Sequence, residues 1–117
     1  MSVPWWLPFG AVPEVAPREL LQQLGSAAPP LVLDVRTRSE FEGGHVAGAV
    51  NVPVTALAGS IDALNLDPGR RVVAICLTAH RSVPAVRLLH RRGLAALQLA
   101  GGMRAWRALG LPEERTR

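Results

Sequence analysis

The sequence has one cysteine, Cys76, and no lysine. A single cysteine excludes an intramolecular disulfide and with it the small disulfide-stabilised secreted domains, so a reducing compartment fits best. Long apolar runs are also absent, because each run is far shorter than the roughly 20 residues that a membrane-spanning helix needs. The first residues have neither a basic segment nor a long apolar segment, so we expect no secretory signal. We therefore expect a cytoplasmic protein with no membrane span.

The 117 residues suffice for one domain, and 49% of them are hydrophobic, which allows a sizeable core. Every basic residue is an arginine, and the formal net charge is +4. The arginines are scattered and no aromatic residues alternate with them, so a nucleic-acid surface is not favoured. A small anionic substrate is a milder inference from the same positive charge.

The N-terminus differs in composition from the rest of the chain. Residues 1–11 form a candidate apolar arm, and residues 12–117 form the candidate domain. The arm contains Trp5 and Trp6, two of the three tryptophans, beside two prolines. Two interpretations remain open: the arm packs over the domain's own apolar surface, or it contacts a partner, such as a second subunit in a homodimer.

Apolar runs alternate with helical stretches along the candidate domain. The composition of strands is found in five segments, 12–15, 31–35, 49–54, 71–77 and 95–99. Helices are predicted between them, over residues 17–24, 39–42, 55–64, 82–92 and 103–109. In the second helix, Ser39 and Glu42 have capping-box spacing and we expect Glu42 to act as a cap, while Glu40 suits the dipole of the first turn. This alternation predicts an α/β fold with a parallel sheet covered by helices on both faces.

Cys76 lies at the end of a predicted strand, before a loop that leads into a helix at Ser82. Ligands of parallel α/β folds bind at the carboxyl ends of the strands. Inward-facing N–H groups of the loop, the helix N-terminus and Arg81 would all stabilise a thiolate, the nucleophilic form of cysteine. They would equally stabilise a persulfide or a bound oxyanion. A lone cysteine is often only a small buried hydrophobic residue, but the order strand, cysteine, loop, arginine, serine and helix favours a nucleophile.

Other polar residues are expected to have structural roles. Asp34 and Arg36 end a strand, where hydrogen bonds or an ion pair would tie loops together. His45, between glycine and valine, is expected to hold its loop by a hydrogen bond, and Trp106 to pack in the core. No second histidine, cysteine or acidic residue stands at ligand spacing, so we expect no metal and no cofactor.

Three motifs together resemble those of the rhodanese-like sulfurtransferase family. They are LDVRTRSEFEGGHVAGAVNVP (Leu33–Pro53), CLTAHRS (Cys76–Ser82) and LAGGMRAWRALGLP (Leu99–Pro112). They follow one another in the family's order over roughly residues 12 to 112, and each alone would be only moderately specific. The resemblance implies a five-stranded parallel sheet flanked by helices, as in a single-domain rhodanese.

The resemblance also implies a reaction. Cys76 would take sulfane sulfur from a small anionic donor such as thiosulfate and hold it as a persulfide, and cyanide, a thiol or a protein acceptor would remove it. By match to the loop motif, Cys76 is the nucleophile and Arg81 orients the loop and favours anions. The substrate would contact the rest of the loop motif, Leu77, Thr78, Ala79, His80 and Ser82. For His80, two roles stay open: binding an anion such as leaving sulfite, or pointing to solvent.

Loop length separates this family from its relatives. Four residues stand between Cys76 and Arg81, whereas the related dual-specificity phosphatases and arsenate reductases have one more, which gives a wider cradle for a tetrahedral oxyanion. The short loop therefore favours sulfur over phosphate. Family loops often have glycine at the position of Ala79, so we expect an altered loop shape or a strained alanine. A non-catalytic binding module or a sulfur-carrier partner remains the alternative function.

Overall fold

The computed structural model describes residues 10–116, in which strands and helices alternate. The strands are β1 (Glu14–Val15), β2 (Leu31–Asp34), β3 (Val50–Asn51), β4 (Val72–Ile75) and β5 (Ala96–Leu99). The helices are α1 (Pro17–Leu24), α2 (Arg38–Glu42), α3 (Val54–Ser60), α4 (Ser82–Arg91) and α5 (Gly102–Ala108). Among the described residues, every helix is too short or too polar to cross a membrane. Residues 1–9, which contain both tryptophans of the candidate arm, lie outside this range, so both interpretations of the arm stay open.

The five strands form one parallel sheet in the order β1-β5-β4-β2-β3. The central strand, β4, pairs with β2 on one side and β5 on the other, and all four of its residues are buried. This burial accounts for its continuous apolar sequence, because helices cover both of its faces. The α/β fold and the parallel sheet expected from the sequence are thus confirmed.

Alternate residues of β4 enter two separate cores. Val73 and Ile75 pack with Leu20 of α1 and Met103 and Trp106 of α5. The opposite face belongs to the second core, which contains β4 residues Val72 and Ala74, Leu57 of α3, Val86 and Leu89 of α4, and Cys76. Because side chains alternate along a strand, Cys76 continues this second face one residue beyond β4. The nucleophile candidate is therefore anchored in the core beneath α4.

The cap of α2 differs from the prediction. Its N-cap is Thr37, whose hydroxyl accepts from the Glu40 N–H at 3.3 Å while Glu40 Oε1 accepts from the Thr37 N–H at 3.1 Å. The expected box of Ser39 and Glu42 is wrong, because Thr37 has the extended backbone that an N-cap requires and Ser39 is already helical. Glu42 ends the helix and accepts a hydrogen bond from the exposed Arg38 at 3.2 Å.

Helix α3 is shorter than predicted. It begins at Val54 and ends at Ser60, and residues 61–65 continue as turns instead of the helix expected to residue 64. Gly59 and Ser60 are weak helix formers, which favours an early end. The turns finish at Asn65, whose φ of 51° is a left-handed conformation that asparagine tolerates.

Candidate active site

The candidate nucleophile lies where the sequence predicted it. Cys76 directly follows β4, residues 77–81 form a loop, and α4 begins at Ser82. Cys76 is only 1% exposed, and its Sγ lies 3.5 Å from Ser82 Oγ. The thiol is therefore held at the base of the loop.

Helix α5 holds the carbonyl groups of this loop. The N–H of Met103 donates to the Cys76 carbonyl at 2.8 Å, and the N–H of Arg104 donates to the Leu77 carbonyl at 2.9 Å. In a trans peptide the N–H points opposite to the carbonyl, so the N–H groups of Leu77 and Thr78 point away from α5. Within residues 10–116, none of the N–H groups of residues 77–81 donates to a protein acceptor. These free donors can bind an anion beside the sulfur.

Close packing of α5 under the loop depends on Gly102. Its φ is +61°, and a Cβ there would lie 2.4 to 2.6 Å from the carbonyl oxygens of Cys76, Leu77 and Thr78. No side chain fits this gap, because all three neighbours are backbone atoms held by the fold. The second glycine of the Gly-Gly motif is therefore what allows α5 to approach the loop.

Arg81 is tied to α2 by two charged hydrogen bonds. Its guanidinium donates to Glu40 Oε1 at 2.6 Å and to Glu40 Oε2 at 2.8 Å. The hydrogen bond from Arg81 lowers the pKa of Glu40 to about 2, and the bond to Glu40 raises the pKa of Arg81. Because Glu40 also caps α2, this pair joins the loop to a second fixed element.

The expected structural roles of two residue pairs are confirmed. Asp34 and Arg36 form a fully buried ion pair with a distance of 2.8 Å from Arg36 Nη2 to Asp34 Oδ2, and Arg36 also donates to the Gly44 carbonyl at 2.8 Å. His45 Nδ1 lies 2.7 Å from the Phe41 carbonyl, and the two rings stack with centroids 3.7 Å apart. Both pairs hold the chain between β2 and β3.

Two polar side chains of the loop, those of Thr78 and His80, lie within hydrogen-bonding distance of each other. His80 is exposed, and its Nδ1 lies 3.1 Å from Thr78 Oγ1. Ala79 is not strained, since Asn65 is the one non-glycine residue with positive φ in the described part of the chain. Across residues 10–116, no group of three or more histidine, cysteine, aspartate or glutamate side chains lies close enough to hold a metal ion.

A family model described as the rhodanese-like domain matches residues 16–109. The chain belongs to the rhodanese family. A crystal structure of a rhodanese-related protein from Thermoplasma volcanium superposes with a TM-score of 0.79 and 26% identity, covering 88% of this chain and 98% of that one. The crystal structure of the Alr3790 protein from Anabaena superposes with a TM-score of 0.78 and 30% identity, covering 86% of this chain and 81% of that one.

Relatives of the chain include proteins named as sulfurtransferases. A sulfurtransferase from Allochromatium vinosum is 31% identical over 86% of this chain and 94% of its own length. The chloroplastic thiosulfate sulfurtransferase 16 of Arabidopsis thaliana is 34% identical over 68% of this chain and 76% of its own. The HTH-type transcriptional regulator Rv0324 of Mycobacterium tuberculosis is 33% identical over 89% of this chain and 46% of its own. The chain spans about half the length of this regulator and of a similar uncharacterised protein from Synechocystis.

Two residues lie beside the loop in the structure although the sequence does not predict their role in the site. Glu40 is predicted only to suit a helix dipole, yet it is the partner of Arg81. Gln98, on β5, accepts a hydrogen bond from Ser82 at 2.6 Å beneath Cys76. A signal for Gln98 does exist, since it is the one polar residue in the apolar strand Ala96–Leu99. Such a residue needs a buried partner.

Proposed function

We propose that this protein is a sulfurtransferase that carries sulfane sulfur on Cys76, with thiosulfate or a similar anion as donor. The observation that supports this most strongly is the loop itself. A buried thiol lies at its base, and the N–H groups of residues 77–81 have no protein acceptor within the described residues. An anionic sulfur compound would accept hydrogen bonds from these donors, and hydrogen bonds to a charged acceptor are the stronger kind.

The first half-reaction loads the cysteine. The Cys76 thiolate attacks the outer sulfur of thiosulfate, a new S–S bond forms, and the original S–S bond breaks with its electron pair leaving on sulfite. The loop N–H groups and the N-terminus of α4 stabilise the negative charge on the terminal sulfur of the persulfide. Arg81 acts as an orienting residue, because Glu40 holds its guanidinium.

The second half-reaction unloads the cysteine. A nucleophilic acceptor, cyanide or a thiol, attacks the terminal sulfur, and the electron pair of the broken S–S bond returns to Cys76 as thiolate. The products are thiocyanate or a new persulfide on the acceptor. Because Cys76 is the only cysteine, the acceptor must be another molecule. We propose that Leu77, Thr78, Ala79 and His80 of the loop form the substrate-binding part of the site, together with Ser82 at the start of α4.

The test is the formation of thiocyanate from thiosulfate and cyanide. We expect turnover in the protein and none in Cys76→Ser, with the circular dichroism spectrum of the variant unchanged because serine nearly matches cysteine in size. The same preparations are assayed against a generic aryl phosphate. Cys76-dependent phosphatase turnover without sulfur transfer would contradict the proposal and favour the phosphatase class. Absence of both activities in a folded protein would favour the binding module.

A further inference from the structure

A row of hydrogen bonds runs from Cys76 to the surface of β1. Cys76 Sγ lies 3.5 Å from Ser82 Oγ, and the Ser82 hydroxyl donates to Gln98 Oε1 at 2.6 Å. Gln98 Nε2 in turn donates to Glu14 Oε2 at 2.8 Å. Ser82 and Gln98 are 1% and 4% exposed, whereas Glu14 is exposed. The row therefore connects the buried sulfur to a carboxylate at the surface.

The chemistry of its outer end fixes the direction of every bond in the row. An ionised carboxylate only accepts hydrogen bonds, so Gln98 must present its NH₂ group to Glu14 and its carbonyl to Ser82. A carbonyl also only accepts, so the single hydroxyl hydrogen of Ser82 points to Gln98. The Ser82 oxygen is then left as an acceptor toward Cys76, and the hydrogen between them belongs to the thiol.

We propose that Glu14, Gln98 and Ser82 are positioning residues that set the pH at which Cys76 becomes a nucleophile. This inference deepens the proposed function and rests on it. In the resting protein Ser82 accepts the S–H hydrogen, which favours the thiol. When the thiol loses its proton to solvent, the Ser82 hydroxyl must leave Gln98 before it can donate to the thiolate. The row thus opposes the loop N–H groups, which favour the thiolate.

Gln98 gives this row its specific effect. It has no proton to release, so the row orients the Ser82 hydroxyl and does not conduct protons. With an apolar residue at position 98, the hydroxyl would be free to turn toward the sulfur. The hydrogen bond of a hydroxyl to a charged sulfur is among the stronger kinds, so the thiolate would then be favoured.

Other titratable groups lie on the elements next to Cys76 and remain in place in the variants described below. They lie on the loop, at the end of β2, on α2, and on α5, whose Arg104 N–H holds the Leu77 carbonyl. By residue, these groups are His80 and Arg81, the Asp34–Arg36 pair, Glu40, and Arg104. A substitution at Gln98 alters none of them, which makes it the selective perturbation.

The experiment measures the pH dependence of iodoacetamide alkylation of Cys76 in Gln98→Met, whose side chain has similar length without the amide. We expect the midpoint to fall by about one pH unit, which means roughly tenfold more thiolate below the midpoint. In a Ser82→Ala background, Gln98→Met should leave the midpoint unchanged, because no hydroxyl remains to be released. The matched control is Gln23→Met, which removes an exposed glutamine–glutamate hydrogen bond to Glu19 within α1 and should not shift the midpoint.

An unchanged midpoint in Gln98→Met, or an equal shift with and without Ser82, would overturn the proposal. Glu14→Ala, on the surface, provides a second variant that does not disturb the core. Without Glu14, the Gln98 amide can turn its NH₂ group toward Ser82, and the Ser82 hydroxyl can then donate to the sulfur. The midpoint of alkylation should therefore fall, and only when Ser82 is present. Alkylation requires no sulfur donor, so these outcomes are read independently of whether thiosulfate loads Cys76.

Discussion

Glu40 has two roles: it forms an ion pair with Arg81 and it caps α2. The substitution Glu40→Gln removes the charge and tests the first role alone. Glutamine also serves at the third position of a capping box, so the cap of Thr37 on α2 is kept while the ion pair with Arg81 is lost. The pKa of Glu40 falls from its ordinary value of 4.5 to about 2 because Arg81 donates to it. That difference sets an upper limit of about 3.4 kcal/mol on the stabilisation.

Solvent screening reduces this limit, because the side chains of Arg81 and Glu40 are 35% and 32% exposed. We therefore expect Glu40→Gln to lower the free energy of unfolding by about 1 to 2 kcal/mol at pH 7. A depressed carboxyl pKa stabilises the fold above the unfolded-state pKa, and this stabilisation is lost as pH falls. Between about pH 4.5 and pH 2 the difference between the two proteins should shrink, with more than half of it gone by about pH 3.

The assay is urea denaturation of both proteins at several pH values between 7 and 3. Glu42→Gln is the matched control, since Glu42 lies on the same helix and pairs with Arg38, whose side chain is 83% exposed. We expect its effect to stay below about 0.5 kcal/mol. Equal losses in the two variants, or a Glu40→Gln loss that does not depend on pH, would refute the reasoning about the Arg81 pair.

Two further predictions concern packing around the loop and the buried ion pair. Gly102→Ala should lower the free energy of unfolding by at least about 3 kcal/mol, because its Cβ would collide with the loop carbonyls. The control Gly110→Ala has a similar φ of +67° with open space around it, and should lower the free energy of unfolding by about 1 to 2 kcal/mol. Similar losses in the two variants would show that the loop carbonyls move aside for the added Cβ. Arg36→Met leaves the Asp34 carboxylate buried without its partner. In urea denaturation, this substitution should lower the free energy of unfolding by about 3 to 5 kcal/mol. A loss no larger than that of Arg38→Met, at an exposed arginine, would show that the buried ion pair contributes little to stability.

Much of the fold follows from local patterns in the sequence. Helix α1 begins at Pro17 and ends before Gly25, as predicted, and the loop after Cys76 passes into α4 at Ser82. Apolar runs give the strands, because the parallel sheet is buried on both faces. The predicted cap of α2 at Ser39 lies two residues after the observed cap at Thr37, because both residues carry hydroxyl groups and only the path of the chain after Arg36 decides between them.

The partners of the site residues could not be predicted, because they are distant in sequence. Glu40 and Arg81 are 41 positions apart, and Glu14 and Gln98 are 84 positions apart. The Glu14–Gln98 contact depends on the sheet order, which places β1 beside β5. The Glu40–Arg81 contact joins α2 to the loop before α4. Motif resemblance points to Gly102, but the reason for a glycine there appears only once α5 is seen against the loop carbonyls.

The central claim is that Cys76 accepts a sulfur atom, and intact mass spectrometry after incubation with thiosulfate tests it most directly. The account predicts a gain of one sulfur atom that cyanide reverses and that Cys76→Ser does not show. A folded protein that keeps its original mass and a free thiol under these conditions would contradict it.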